Sequence, residues 1–278
     1  MELTEFIKAS LAEDLGDGDH TSQSTIPADQ VGRAHLLVKE DGILSGLIVA
    51  QEIFRIVDPE LNLTILAQDG DEIKKGDLLF IVEGKVRSIL ISERLVLNCM
   101  QRMSGIATTA KRFVDAVSGT NAKILDTRKT TPLLRFLEKE AVRTGGAFNH
   151  RFGLYDMILI KDNHVDSAGG IKPALEKANL YLAQKNISIP IEIETRNLEE
   201  VSEAVSSGIP NRIMFDNFEP NLIQQALLIV DRKMETEASG GINLNNVRSY
   251  ALTGVDYISI GALTHSIKSL DLSLKIFK

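Results

Sequence analysis

The chain has 278 residues, 44% of them hydrophobic and 25% charged, with a formal net charge of −7. That balance suits a globular protein with a sizeable core, and without a long basic block it argues against broad nucleic-acid binding. No apolar run approaches the roughly 18 residues of a membrane helix, and one cysteine, Cys99, excludes a disulfide framework or a thiolate zinc site, so a reducing cytoplasm is the expected compartment.

Residues 3–14 predict a helix, with Leu3, Phe6, Ile7 and Leu11 on one face and Gly16 and Gly18 ending it. This start is acidic, unlike a secretory signal or an Arg-rich transit peptide. His20 with Asp17 and Asp19 fits a helix-ending turn better than a metal site. AHLLVKEDGILSG predicts a strand and turn, with Ser45 capping a helix through GLIVAQEIFRIV. LNLTILAQDGDEIKKGDLLFIVEG predicts short strands and glycine turns. Residues 89–117 then predict helix, with SGI at 104–106 the main break.

A new rhythm follows. ILDTRKT, MILIKDN, IEIETRN, RIMFDN, ETEASGGI and YISIGAL are short β-prone runs, most ending in a polar or glycine-rich step. Their markers Asp126, Lys161, Glu194, Asp216, Ser239 and Gly261 are spaced by 35, 33, 22, 23 and 22 residues. Helical stretches lie between the later ones. Strand, polar tip and helix in repetition is the βα unit, and tips that converge on one mouth favour a barrel over an open sheet. The expected architecture is α/β: a mixed N-terminal domain over 1–105, a barrel over 106–267, and LDLSLKIF within 268–278 returning as an edge strand to the first domain.

The mouth would gather Arg128, Lys129, His150, Arg151 and Lys161, a cationic cluster that an anionic substrate would neutralise. Ser239, Gly240 and Gly241, with Ile260, Gly261 and Ala262, occupy the late loops that hold phosphate in many barrels, and His265 is placed to reach the same anion. Glu194 and Asp216 are hard ligands suited to Mg2+ held mainly through substrate oxygens. No Ser/His/Asp arrangement, P-loop or GxGxxG motif is evident. Positioned charge and a metal, without a protein nucleophile, are therefore the expected chemistry. Taken singly, each residue has a bland alternative, such as a solvated loop charge, a helix cap or a plain turn. The coincidence of several polar strand ends outweighs them.

The motifs EDLGDGDHTS, NCMQRMSGIAT, LDTRKTTP, GGAFNHRFGLYDMILIKDNH, IEIET, MFDN, EASGGI and SIGALTHS span nearly the whole chain in order. Together they resemble the quinolinate phosphoribosyltransferase family, also called nicotinate-nucleotide pyrophosphorylase (carboxylating). The resemblance implies an N-terminal α/β sandwich-like domain and an incomplete (β/α) barrel. It also implies transfer of phosphoribosyl from phosphoribosyl pyrophosphate to quinolinate with Mg2+, yielding nicotinate mononucleotide, pyrophosphate and carbon dioxide. It further implies a homodimer in which Arg102 reaches the neighbouring site. Arg102, Arg128, His150 and Arg151 would face quinolinate, Thr127 would bind substrate, and Lys129 and Lys161 would bridge the two substrates. Glu194 and Asp216 would serve the ribose and the magnesium; Ser239 to Gly241, Ile260 to Ala262 and His265 would serve the phosphate. Leu133 and Ala147 depart from glycines usual in the family. Two alternatives stay open: a same-fold enzyme acting on nicotinate or another base, and a biotinyl- or lipoyl-like carrier, although no lysine stands in an MKM or DKA setting.

Overall fold

The computed structural model describes residues 2–277; Met1 and Lys278, at the outer ends of the first predicted domain, lie outside the described residues. The strands are β1 (Val31–Val38), β2 (Gly42–Ile43), β3 (Asn62–Ile65), β4 (Glu72–Ile73), β5 (Leu78–Lys85), β6 (Lys123–Leu125), β7 (Ile158–Ile160), β8 (Ile191–Thr195), β9 (Arg212–Asp216), β10 (Glu235–Ser239), β11 (Tyr257–Ser259) and β12 (Leu272–Phe277). The helices are α1 (Leu3–Leu15), α2 (His20–Thr25), α3 (Leu47–Val57), α4 (Val86–Ala116), α5 (Arg135–Thr144), α6 (Asp162–Ala168), α7 (Ile171–Lys185), α8 (Leu198–Ser207), α9 (Pro220–Val230), α10 (Val247–Ala251) and α11 (Ala262–His265). None is long and apolar enough to cross a membrane.

Two compact units emerge. The first holds Met1–Lys111, Pro132–Gly146 and Ile267–Lys278, and the second Arg112–Thr131 and Ala147–Ser266. The division thus falls inside α4 instead of at 105/106, and residues 132–146 join the first unit although the sequence assigns them to the barrel.

The first unit is built on an antiparallel sheet of order β12-β1-β5-β3. Ala34, Leu36 and Val38 alternate inward along β1 and are fully buried. Phe54 of α3 meets Phe80 of β5 edge-on at 5.7 Å. β12 takes the edge beside β1. Three local expectations change. Ser45 does not cap α3: the N-cap is Gly46, and the Leu47 N–H donates to Asp69 Oδ1 at 3.0 Å. SGI does not break α4, because glycine is needed there for close approach: a Cβ at Gly105 would lie 2.3 Å from the Lys268 carbonyl oxygen. Asp19 opens a helix, its carboxylate accepting the Ser22 N–H at 2.9 Å.

The second unit carries a six-stranded parallel sheet of order β6-β11-β10-β9-β8-β7. Sequence neighbours pair except β6 and β7, so the ring is incomplete there, and among the described residues only a bridge from Leu125 to Phe148 continues the pairing beside β6. The gap is where the chain departs for residues 132–146. Ile193, Ile213, Phe215, Ala238 and Ile258 are fully buried, as expected for strands covered on both sides.

Candidate functional site

The carboxyl ends of the six barrel strands surround a cavity of ≈ 720 Å³. Thr127, Arg128, Lys129, His150, Arg151, Lys161, Glu194, Asp216, Ser239, Gly240, Gly241, Gly261, Ala262 and His265 all line it. Short strands do the positioning. Each buries its apolar body and brings polar residues at or just beyond its carboxyl end to the rim.

Buried Asp126 ties two of these loops together. It follows β6, is fully buried, and accepts from the His150 N–H at 2.8 Å and from Asn149 Nδ2 at 2.6 Å. The TRK and NHR segments are thereby fixed to one carboxylate, which sets Arg128 and Arg151 in the same cavity. Arg151 is almost buried and donates from Nη1 to the Met157 carbonyl at 3.2 Å. Burial and the nearby Arg128 charge lower its pKa. Lys129 is held by its backbone, whose carbonyl accepts from Thr264 Oγ1 at 2.9 Å.

Lys161, just beyond β7, lies 2.7 Å from Glu194 Oε1 of β8. Its own N–H donates to His164 Nδ1 at 2.9 Å, which caps α6. Asp216 ends β9, and its Oδ2 accepts from Asn217 Nδ2 at 2.9 Å. Gly240 and Gly241 both hold positive φ, +98° and +63°, and so turn the chain after β10 in a way L side chains resist.

Beneath this rim lies a charged layer. His150 Nε2 is 3.1 Å from Glu192 Oε2 and 3.5 Å from Glu237 Oε2, and both carboxylates have no exposure. Arg212 Nη1 completes the layer, 3.0 Å from Glu237 Oε2 and 3.9 Å from Glu192 Oε2. Arg212 is itself clamped by Glu235 at 3.0 Å and stacked 4.0 Å from the Tyr257 ring centroid. Burial alone would lower the His150 pKa, but hydrogen bonds to Glu192 and Glu237 overcome it and push it up to about 9. The Arg151 N–H faces Nδ1 at 2.7 Å, a contact that favours the ring protonated on Nε2 alone, so it opposes the two carboxylates. The carboxylates prevail because two buried negative charges outweigh one peptide dipole. Burial and the Glu237 charge push Glu192 up to about 7. Burial would also raise Glu237, but the His150 hydrogen bond and Arg212 hold it below its ordinary value.

Ile260 does not line the cavity, and neither does Arg102, which is expected at the neighbouring subunit's site. Ile260 is buried, and its N–H donates to the Leu125 carbonyl at 2.9 Å, so it is spent on joining β11 to β6 and has nothing to offer a phosphate. Arg102 belongs to the first unit, where its Nε and Nη2 donate to Glu138 Oε1 at 2.8 and 2.6 Å in a smaller cavity of ≈ 290 Å³. His265 lines the main cavity, and its Nδ1 lies 2.6 Å from Ser266 Oγ. Sequence reasoning missed Asp126 as an anchor and Glu192, Arg212 and Glu237 altogether. The available signal was spacing: Glu192 precedes Glu194, and Glu237 precedes Ser239, by two residues on a strand, which puts each pair on one face.

Residues 106–275 match the family model for the C-terminal domain of quinolinate phosphoribosyl transferase, and residues 19–104 match that for its N-terminal domain. The chain is 46% identical over 290 residues to quinolinate phosphoribosyltransferase [decarboxylating] 1b of Nicotiana tabacum, covering 99% of this chain and 82% of the relative. It is 43% identical to a probable nicotinate-nucleotide pyrophosphorylase [carboxylating] of Bacillus subtilis, covering 99% and 94%. The crystal structure of nicotinate-nucleotide pyrophosphorylase from Ehrlichia chaffeensis superposes with a TM-score of 0.94 at 38% identity, covering 100% of this chain and 99% of that one.

Proposed function

The chain belongs to the quinolinate phosphoribosyl transferase family, and from that premise we propose that its barrel cavity joins quinolinate to phosphoribosyl pyrophosphate with loss of carbon dioxide. The products are nicotinate mononucleotide and pyrophosphate, which places the enzyme in de novo NAD biosynthesis. One observation carries this assignment: Arg128, Lys129, Arg151 and Lys161 share one cavity in a chain of net charge −7. Such a cluster fits a substrate pair rich in carboxylates and phosphates.

The division of labour follows from position. Arg128 and Arg151, locked through Asp126, take the two carboxylates of the base and present its ring nitrogen to the sugar. Thr127 and the His150 floor complete that pocket. The nitrogen brings its own lone pair, so no general base is required. As the bond from the ribose carbon to pyrophosphate breaks, Lys129 and Lys161 stabilise the departing oxygens. Gly240, Gly241, Gly261 and Ala262, with Ser239 and His265, accommodate the 5-phosphate. The pyridinium formed then accepts the electron pair released when the adjacent carboxylate leaves as carbon dioxide, and that ring carbon takes up a proton.

Glu194 and Asp216 fit Mg2+: they are carboxylates on neighbouring strands at the cavity edge. Because Lys161 already engages Glu194, a cation held largely by substrate oxygens suits them better than an all-protein cage. Bound there, Mg2+ supplies charge neutralisation for the pyrophosphate oxygens. The active form is a homodimer in which Arg102, oriented by Glu138, serves the neighbouring subunit's cavity.

The test is turnover with phosphoribosyl pyrophosphate, Mg2+ and either quinolinate or nicotinate, following carbon dioxide and mononucleotide together. Equal yields of both from quinolinate alone are expected. Product from nicotinate only would overturn the role of the arginines. For the shared site, mixing Arg102→Ala with Lys161→Ala subunits should restore activity that neither has alone; mixed dimers without activity would refute it.

A further inference from the structure

We propose that Glu237 is a positioning residue for base binding: its buried carboxylate keeps His150 cationic, so that the cavity floor presents a positive charge to a carboxylate of the base. This rests on the proposed quinolinate reaction for the identity of the base but not for the charge of His150.

The geometry supports it from several sides. His150 lines the cavity yet directs Nε2 away from solvent, to Glu192 of β8 and Glu237 of β10. Nε2 is committed beneath the cavity, and Nδ1 stands 2.7 Å from the Arg151 N–H, so the ring offers the cavity no free donor; its positive charge requires that N–H to turn away from Nδ1. Two carboxylates with no exposure would repel each other unless cations met them on both sides. Arg212 of β9 provides one, and its clamp by Glu235 and Tyr257 fixes it in place. His150 provides the other. A metal ion is the competing occupant, since ligand atoms of His150, Glu192 and Glu237 lie within 4.8 Å of one another. The Arg212 guanidinium, 3.0 Å from Glu237, already fills the cationic role and would repel an ion. The other charged groups near the ring are Asp126, which accepts from the His150 backbone N–H, the cations Arg128, Arg151, Lys129 and Lys161, and the carboxylates Glu194 and Asp216 at the cavity rim. Those cations oppose protonation of the imidazole, so the carboxylates below are what sustains it. The upward shift of the His150 pKa agrees with this balance.

The experiment is a pH titration of the His150 ring signal by NMR, assigned among the chain's five histidines, in the wild-type protein and in Glu237→Gln. The wild-type ring should remain protonated beyond pH 8, and the variant should lose its proton at least one pH unit lower. In parallel, the KM for quinolinate in Glu237→Gln should rise about tenfold at pH 8 and return towards the wild-type value at pH 6. The KM for phosphoribosyl pyrophosphate should be unchanged at both. A purely structural role would raise KM equally at the two pH values and would overturn the inference. So would a wild-type ring that titrates near its ordinary value, a measurement that needs no variant to fold. The NMR midpoint is read without turnover, so a wild-type chain giving no product from quinolinate would refute the reaction alone.

Discussion

Gly240→Ala perturbs one point of the rim with a magnitude that can be worked out. A Cβ there would meet Asn217 Oδ1 at 2.2 Å, Cγ at 2.6 Å and the backbone nitrogen at 3.0 Å. The side-chain amide can rotate away, but the backbone nitrogen cannot, because its N–H donates to the Ser239 carbonyl at 2.8 Å. The φ of +98° adds about 1–2 kcal/mol for an L residue, and weakening the Asn217 hydrogen bond adds about 1 kcal/mol. The sum is about 2–3 kcal/mol, at roughly 2–4 °C of melting temperature per kcal/mol for a unit of this size. Gly241→Ala is the internal control, since its φ is +63° but nothing lies within 4 Å of the added methyl. It should cost the backbone part alone, about 1–2 kcal/mol. Differential scanning calorimetry of the two variants, with the KM for phosphoribosyl pyrophosphate, checks this. Gly240→Ala should melt lower and raise that KM about tenfold or more by displacing the loop proposed to hold the phosphate. If it melts no lower than Gly241→Ala, the steric reasoning is wrong.

Leu133 adopts φ +66° and is 69% exposed, so its side chain contributes little burial to offset the left-handed backbone. Leu133→Gly should be neutral within about 1 kcal/mol, strain relief offsetting unfolded-state entropy, whereas β-branched Leu133→Val should be clearly less stable in thermal melts. Gly105→Ala would gain about 1 kcal/mol of helix propensity. Contact with the Lys268 carbonyl should reverse that gain into a net loss of about 1–3 kcal/mol, seen as a lower denaturation midpoint. Stability should also fall as pH rises from neutral. The folded-state pKa of His150, about 9, exceeds the ordinary 6.5. Its contribution is therefore complete below about pH 6.5 and lost as pH rises through 9, worth about 3 kcal/mol in all. Glu192, raised to about 7, acts in the same direction. A melting temperature that holds constant from pH 6 to pH 9.5 would contradict the sign.

The barrel was legible because its strands are short and β-prone and are followed by polar residues that solvent or a ligand must meet. Asp126, Lys161, Glu194, Asp216, Ser239 and Gly261 therefore marked strand ends that the structure does bring to one mouth, although Asp126 anchors two loops instead of facing a ligand. Charges inside strands were not legible. In IEIET, Glu192 has the same alternation as a solvent-facing residue, and its acceptance in the interior depends on Arg212 and His150, brought in from distant segments. Ile260 stands outside the cavity lining for a related reason: a motif shows that a loop follows, not which N–H is still spent on the sheet. Residues 132–146 could not be assigned from local pattern, since the partners of α5, such as Arg102 for Glu138, lie elsewhere in sequence.

The division of the chain has a consequence for its biogenesis. Because 132–146 and 267–278 belong with the first unit, no single cut yields either unit whole. The sheet containing β1 is completed by β12, which leaves the ribosome only after every barrel strand has been made. Folding cannot run one domain at a time along the nascent chain, as it does for many two-domain proteins. The edge of β1 must wait unpaired until every barrel strand has been made, and an unpaired edge is open to aggregation throughout that interval.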